Sequence, residues 1–158
     1  MAEVMILIGR IASGKTHYAK ELKKEKELML LSCDDLMLTL FDGCLGEKHS
    51  NIEERCYTFL FGQAEQLIEM GIDVALDFGF WSAKSRKNVQ EYFKSRKIKT
   101  TTIYFNPPKE VRESRLAKRN KQLSSSTRRE YIIEPPLLEK LDAKFEEPTS
   151  EEYDHVIV

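Results

Sequence analysis

Apolar positions in this chain gather into short unbroken runs, and between the runs they recur at a helical period. Val4 to Ile8 is an apolar, partly β-branched run of the kind buried on both faces of a sheet, and Gly9 ends it. From Thr16 the residues His-Tyr-Ala-Lys-Glu-Leu-Lys-Lys are all compatible with a helix, with Ala19 and Leu22 three apart on an inward face. Leu28 to Cys33 reads as a second buried strand that ends at Asp34-Asp35. Ser50 and Glu53 have the spacing of a capping box, after which Ile52, Cys56, Phe59, Leu60, Gln63, Leu67 and Ile68 follow a nearly helical period until Gly71 supplies a stop. Ile72 to Phe78 predicts a third strand, Ser82 to Arg96 a helix, and Thr100 to Phe105 a fourth strand. A helix from Pro107 or Pro108 to about Lys121 comes next, then one from Pro135 or Pro136 to about Phe145, and His155 to Val158 is a short last strand. Strands alternating with helices predict an α/β layer fold with a mainly parallel sheet. A chain of 158 residues is expected to form a single domain, since domains run to roughly 150 residues. Ser124 to Arg129 has the composition of a mobile loop.

Composition narrows the class. Hydrophobic residues make up 41% and charged residues 32%, an ordinary globular balance. The apolar runs fall far short of the roughly 20 residues that cross a bilayer, and no basic segment precedes the first of them. The pattern therefore predicts neither a membrane span nor a secretory signal. Cys33, Cys44 and Cys56 match no disulfide framework or CxxC motif, which points to the reducing cytoplasm. A net charge of -1 argues against a protein that grips long nucleic acid over its whole surface. The charge is unevenly spread, however: between Lys84 and Arg129 the only acids are Glu91, Glu110 and Glu113, whereas the stretch after Arg129 is strongly acidic.

Gly9-Arg10-Ile11-Ala12-Ser13-Gly14-Lys15-Thr16 satisfies GxxxxGK[ST], and it stands between a predicted buried strand and a predicted helix, the context this phosphate cradle requires. Glycines let the backbone wrap a phosphate, and unpaired amides at the helix start point at it. Lys15 would neutralise the β and γ oxygens, and the Thr16 hydroxyl would face a magnesium ion bridging the same phosphates. Asn120-Lys121-Gln122-Leu123 lacks the Asp of an NKxD segment, and Asp77-Phe78-Gly79-Phe80 lacks the last Gly of DxxG. Guanine-specific signalling is not expected, although base choice stays open.

In an open α/β sheet, ligands sit beyond the carboxyl ends of the strands. Asp34-Asp35 and Asp77 fall at two such ends. One of the pair is expected to cap the following helix, Leu36 to Phe41, and the other to accept a proton from an attacking hydroxyl; Asp34 is the candidate base and Asp35 the candidate cap, with the reverse assignment open. Asp77 is a candidate magnesium or substrate carboxylate. Arg112, Arg115 and Arg119 share one helical face beside the polar loop, so Arg119, Arg115 or Arg128 could close over the phosphates. His17, His49 and His155 show no metal-ligand spacing and suit surface or structural roles. Phe78, Phe80 and Trp81 suit either core or an acceptor pocket wall.

The cradle, Asp34-Asp35, Asp77-Phe78-Gly79-Phe80-Trp81 with Arg86 downstream, Arg115-Leu-Ala-Lys-Arg119-Asn120 and Phe145-Glu-Glu-Pro148 occur in the order found in small P-loop kinases. The chain resembles that group, which includes phage-type polynucleotide 5′-hydroxyl kinases, chloramphenicol phosphotransferase, zeta toxins and bacterial ATP-binding proteins. The resemblance implies a five-stranded parallel sheet, ATP and Mg2+ as donor and cofactor, Asp34 as base, Arg119 as the lid arginine and a small lid over about residues 121–131. Arg86 matches the group only loosely, and the cradle departs from the commonest small-residue pattern by placing Arg10 and Ile11 directly after Gly9. The leading reading is a kinase that transfers the γ-phosphoryl group of ATP to a hydroxyl of a small-molecule or nucleotide-like acceptor. A nucleotide-binding regulatory module or slow NTPase is the alternative. A 5′-hydroxyl nucleic acid acceptor finds weak support in the basic stretch, and oligomeric state is not legible.

Overall fold

A computed structural model of the chain describes residues 1–41, 45–123 and 132–158. Five strands, β1 (Val4–Gly9), β2 (Leu28–Ser32), β3 (Asp73–Gly79), β4 (Thr100–Phe105) and β5 (His155–Ile157), form one sheet in the order β2-β3-β1-β4-β5. Every neighbouring pair is parallel. Among the described residues six α-helices alternate with them: α1 (Lys15–Glu25), α2 (Cys33–Leu40), α3 (His49–Glu69), α4 (Ala83–Ser95), α5 (Lys109–Leu123) and α6 (Pro135–Asp142). Among the described residues no helix is long and apolar enough to cross a membrane.

Strand β1 is buried along its whole length, which explains its lack of polar alternation. Val4, Ile6 and Ile8 face a core built with Leu60, Phe61 and Ala64 of α3 and Val89 and Phe93 of α4. Met5 and Leu7 face the opposite side, with Ala19 of α1, Ala75, Ile103 and Phe105. After β1 the chain crosses to β2, returns to β3 beside β1, and then continues on the other side as β4 and β5. Neighbouring connections thus diverge at the carboxyl end of β1, opening the crevice where open parallel sheets hold ligands.

Several boundaries follow the sequence pattern closely. Helix α3 stops where expected, because Gly71 takes a left-handed φ of 82° and its N–H donates to the Ile68 carbonyl (2.9 Å) while that of Ile72 donates to Leu67 (3.0 Å), a Schellman closure. Ser82 caps α4 by accepting from the Ser85 N–H at 3.0 Å. Two caps differ from expectation. Ser50 lies inside α3, because the chain is already coiled through a 3-10 turn at Gly46–Lys48 and runs on into the helix, so no capping box forms. Glu53 faces His49 instead, at 3.5 Å. Helix α2 begins at Cys33, before either aspartate; Ser32 is extended and its hydroxyl accepts from the Asp35 N–H at 3.2 Å. Asp35 is therefore not the cap, and Asp34 lies in the first helical turn instead of ending the strand.

Candidate active site

The cradle closes tightly around its own lysine. Gly9 ends β1 where a β-carbon would stand 2.5 Å from Ser13 Oγ and 3.1 Å from the Phe105 carbonyl, so only glycine lets the backbone pass. Ala12 and Gly14 take left-handed φ values of 59° and 99° and turn the loop into α1. Lys15 Nζ donates to the Gly9 carbonyl (3.1 Å), the Arg10 carbonyl (3.0 Å) and Ser13 Oγ (3.3 Å), filling the hollow with the charge that a phosphate would meet. Burial holds the Lys15 ammonium below its ordinary value, against the pull of Asp77 and Asp34 and with help from Arg119. A desolvated cation in a ring of backbone dipoles is prepared for an anion.

Two carboxylates act on this cation, and a third acts on one of them. Asp77, at the end of β3, accepts a hydrogen bond from the Thr16 hydroxyl. Asp34, in the first turn of α2, is open to solvent on one side and crowded by protein on the other. Burial, then the neighbouring Asp77 charge, push its carboxyl up to about 6, while Lys15 opposes them. Glu53 on α3 adds negative charge at the same place, and its own carboxyl is also raised by burial, with His49 opposing. The Tyr57 phenol donates to the Phe78 carbonyl at 3.5 Å and is pushed well above its ordinary value by burial and by Glu53. Glu53 and Tyr57 were missed in the sequence because they sit on α3 among its core positions, and only the docking of α3 beside α2 brings them to Asp34. Phe80 is pure core, while Phe78 is half-buried and stacks on Phe61 with centroids 5.8 Å apart.

The arginines divide by partner. Arg112 is buried and makes a bidentate pair with Asp142 (2.8 and 3.0 Å), with a further bond to the Ile11 carbonyl at 3.4 Å, so it braces α6 and the loop. Arg115 is exposed and reaches the Ala12 carbonyl at 3.5 Å, passing close to Gly14. Arg119 is near enough to Lys15 to act on its proton. Arg10 lends the cradle its backbone, while its guanidinium stacks on the Phe145 ring at 4.3 Å and bonds Tyr104 Oη and Asn106 Oδ1. Aromatic and carbonyl-type partners behind the loop hold it there. Ile11 and Ala12 pack on Leu116, Ile133 and Leu138. Arg128 and most of the expected lid lie outside the described residues. At their base, Asn120 bonds both the carbonyl (2.7 Å) and the N–H (3.3 Å) of Ile133, joining the end of α5 to the chain before α6.

Residues 4–133 match the family described as AAA domain. The chain belongs to that family. No curated protein matches the sequence. Among solved structures, a chain of the Pnkp1/Rnl/Hen1 RNA repair complex superposes with a TM-score of 0.70 and 20% identity over 90% of this chain, which spans only 43% of that chain's length. Kti12 from Chaetomium thermophilum in complex with ADP-AlF3 gives 0.67 with 16% identity, covering 98% of this chain and 88% of that one. A gluconokinase from Sinorhizobium meliloti 1021 gives 0.65 with 14% identity, covering 98% and 81%. These likenesses show a common fold, a parallel sheet flanked by helices.

Proposed function

We propose that this AAA-domain protein is an ATP-dependent phosphotransferase that moves the γ-phosphoryl group to a hydroxyl of a small-molecule or nucleotide-like acceptor. The observation that carries this reading is the Asp34 carboxylate in the first turn of α2, close enough to Lys15 and Asp77 to feel both charges, with its carboxyl raised to about 6. A regulatory module has no use for a base there. The GxxxxGK[ST] loop supports nucleotide binding, and the absence of NKxD and DxxG segments argues against a guanine-specific signalling role.

The residues present fit magnesium. A hydroxyl and a carboxylate, Thr16 and Asp77, stand paired at the phosphate side, and hard cations take oxygen donors of this kind. Among the described residues no cluster of three or more His, Cys, Asp or Glu gathers as a self-sufficient metal nest, and magnesium bound with nucleotides commonly takes one or two protein ligands plus phosphates. Thr16 and Asp77 would hold the ion, which would offset phosphate charge.

The chain's own groups then have separate tasks. Amides of residues 10–15 and the Lys15 ammonium would hold the phosphates, and Arg115 beside the cradle and Arg119 within electrostatic reach of Lys15 would meet charge that spreads during transfer. Asp34 takes the proton from the acceptor hydroxyl as that oxygen bonds to the γ-phosphorus and the bond to the β-bridging oxygen breaks, releasing ADP. Residues 1–158 would act as one kinase domain in the cytoplasm. The test is acceptor-dependent ADP release over sugars, nucleosides, antibiotics and 5′-hydroxyl oligonucleotides. Release that depends on an acceptor and on Asp34 supports the reading, whereas nucleotide binding with no acceptor dependence in any arm returns the protein to a binding module.

A further inference from the structure

Strand β3 ends irregularly. The β1–β3 register slips between Leu7 and Ile8, so that Leu7 pairs with Asp77, Ile8 pairs with Gly79, and Phe78 is left over. Gly79 and Phe80 then both take left-handed backbone, at φ 81° and 50°. Glycine does so freely, but a bulky residue rarely does unless its surroundings hold it there.

Arg86 does the holding. It is 1% exposed, in the first turn of α4, and its Nη1 donates to the Phe80 carbonyl (3.0 Å) and the Trp81 carbonyl (3.2 Å), while Nε donates to Glu152 Oε1 (2.8 Å). Glu152 is itself fixed, because its other oxygen accepts from the Thr149 N–H (2.6 Å) and its backbone carbonyl accepts from Gln90 Nε2 (3.0 Å). The Trp81 carbonyl also accepts from the Glu146 N–H at 2.8 Å. Both glutamates lie beyond residue 133, where the family match ends. On its other side the turn touches the cradle: a β-carbon on Gly79 would stand 2.8 Å from Trp81 Nε1 and 3.5 Å from the Gly9 carbonyl. Asp77, bonded to Thr16, lies two residues before Gly79.

We infer that the Arg86–Glu152 pair is a positioning device that holds the end of β3, and Asp77 with it, in register with Thr16 and the cradle. The inference rests on the reading that Thr16 and Asp77 hold the magnesium ion of a bound nucleotide. Neither member of the pair touches nucleotide; both act through the backbone of the turn.

The test titrates ADP calorimetrically into the wild type, Glu152→Gln and Arg86→Lys, once with excess MgCl2 and once in EDTA, and then titrates MgCl2 into each protein with ADP present. Trp81 is the only tryptophan, so its emission reports the turn directly during the MgCl2 titration. Both variants should raise the half-saturating magnesium concentration by about 10-fold or more, as loss of groups supporting metal ligands usually does, with shifted Trp81 emission and an unchanged affinity in EDTA. A folded variant with a lower melting temperature and an unmoved magnesium midpoint would make the pair a stability element only and overturn the inference. Failure of both variants to fold would overturn it in the same way. A wild type whose ADP affinity is equal in magnesium and in EDTA would instead remove the underlying reading, and this inference with it.

Discussion

Thr16 at the start of α1 donates a hydrogen bond to the Asp77 carboxylate at the end of β3, across 61 positions of sequence. The bond exists because β1 and β3 are parallel neighbours, so the loop leaving one and the last side chains of the other emerge at the same edge. It ties the phosphate cradle to the acidic edge that carries Asp34, and the expected behaviour of single variants follows from it.

Lys15→Ala should weaken ATP binding in magnesium by roughly 10² to 10³, the usual cost of removing a preorganised charged donor from phosphate. The fold should survive, with a melting temperature within a few degrees of wild type, because burial already penalises the Lys15 charge. Calorimetry on the folded variant checks this, and an unchanged affinity would sink the cradle assignment.

Asp34→Asn keeps shape and removes the proposed base, so phosphoryl transfer should fall by roughly 10² to 10⁴ while ATP affinity barely changes. Asp35→Asn is the control, since Asp35 contributes its N–H to the Ser32 cap through the backbone, which the substitution leaves in place. Full turnover by Asp34→Asn would exclude Asp34 from the chemistry.

The raised carboxyl of Asp34 also dictates a pH response. In the free enzyme kcat/KM should climb as pH rises through about 6 and the carboxyl loses its proton. Stability runs the other way. Because the folded-state value lies above the ordinary 3.8, the folded chain binds the extra proton between the two values, and folding gains as pH falls through about 6. Asp34→Asn should therefore raise the melting temperature most at pH 8, with the difference shrinking as the pH drops towards 4. Melting curves of both proteins across that range decide it, and a difference independent of pH would show that the buried Asp34 charge is not its source.

Two arginines one turn apart on α5 should behave oppositely. Arg112→Ala leaves Asp142 facing a buried gap, so it should destabilise the fold by about 3 to 5 kcal/mol, the usual cost of breaking a buried pair. Arg115→Ala removes an exposed group over Ala12 and Gly14, so it should spare stability and weaken nucleotide binding. Chemical denaturation beside nucleotide titration separates the two, and equal stability losses would refute the division.

What the sequence determined by itself was local. The buried run of β1, the glycine-lined turn after it, the Lys15–Thr16 helix start and the Gly71 stop depend on residues close in the chain, where backbone sterics and side-chain period act directly. The convergence of Asp34 and Asp77 was legible too, because alternating strands and helices imply a parallel sheet whose strand ends share one edge. Only the tertiary structure decided what each long side chain does. Arg10 stands in the cradle motif, yet Phe145 and Tyr104 draw its guanidinium away. Arg112 and Arg115 look alike on one helical face until Asp142 on α6 takes the first. Ser32 caps α2 in place of Asp35 because its extended backbone starts the helix a residue before the aspartates. Spacing places a residue on a face, but a flexible charged side chain goes to the partner that packing brings within reach, and those partners lie far away along the chain.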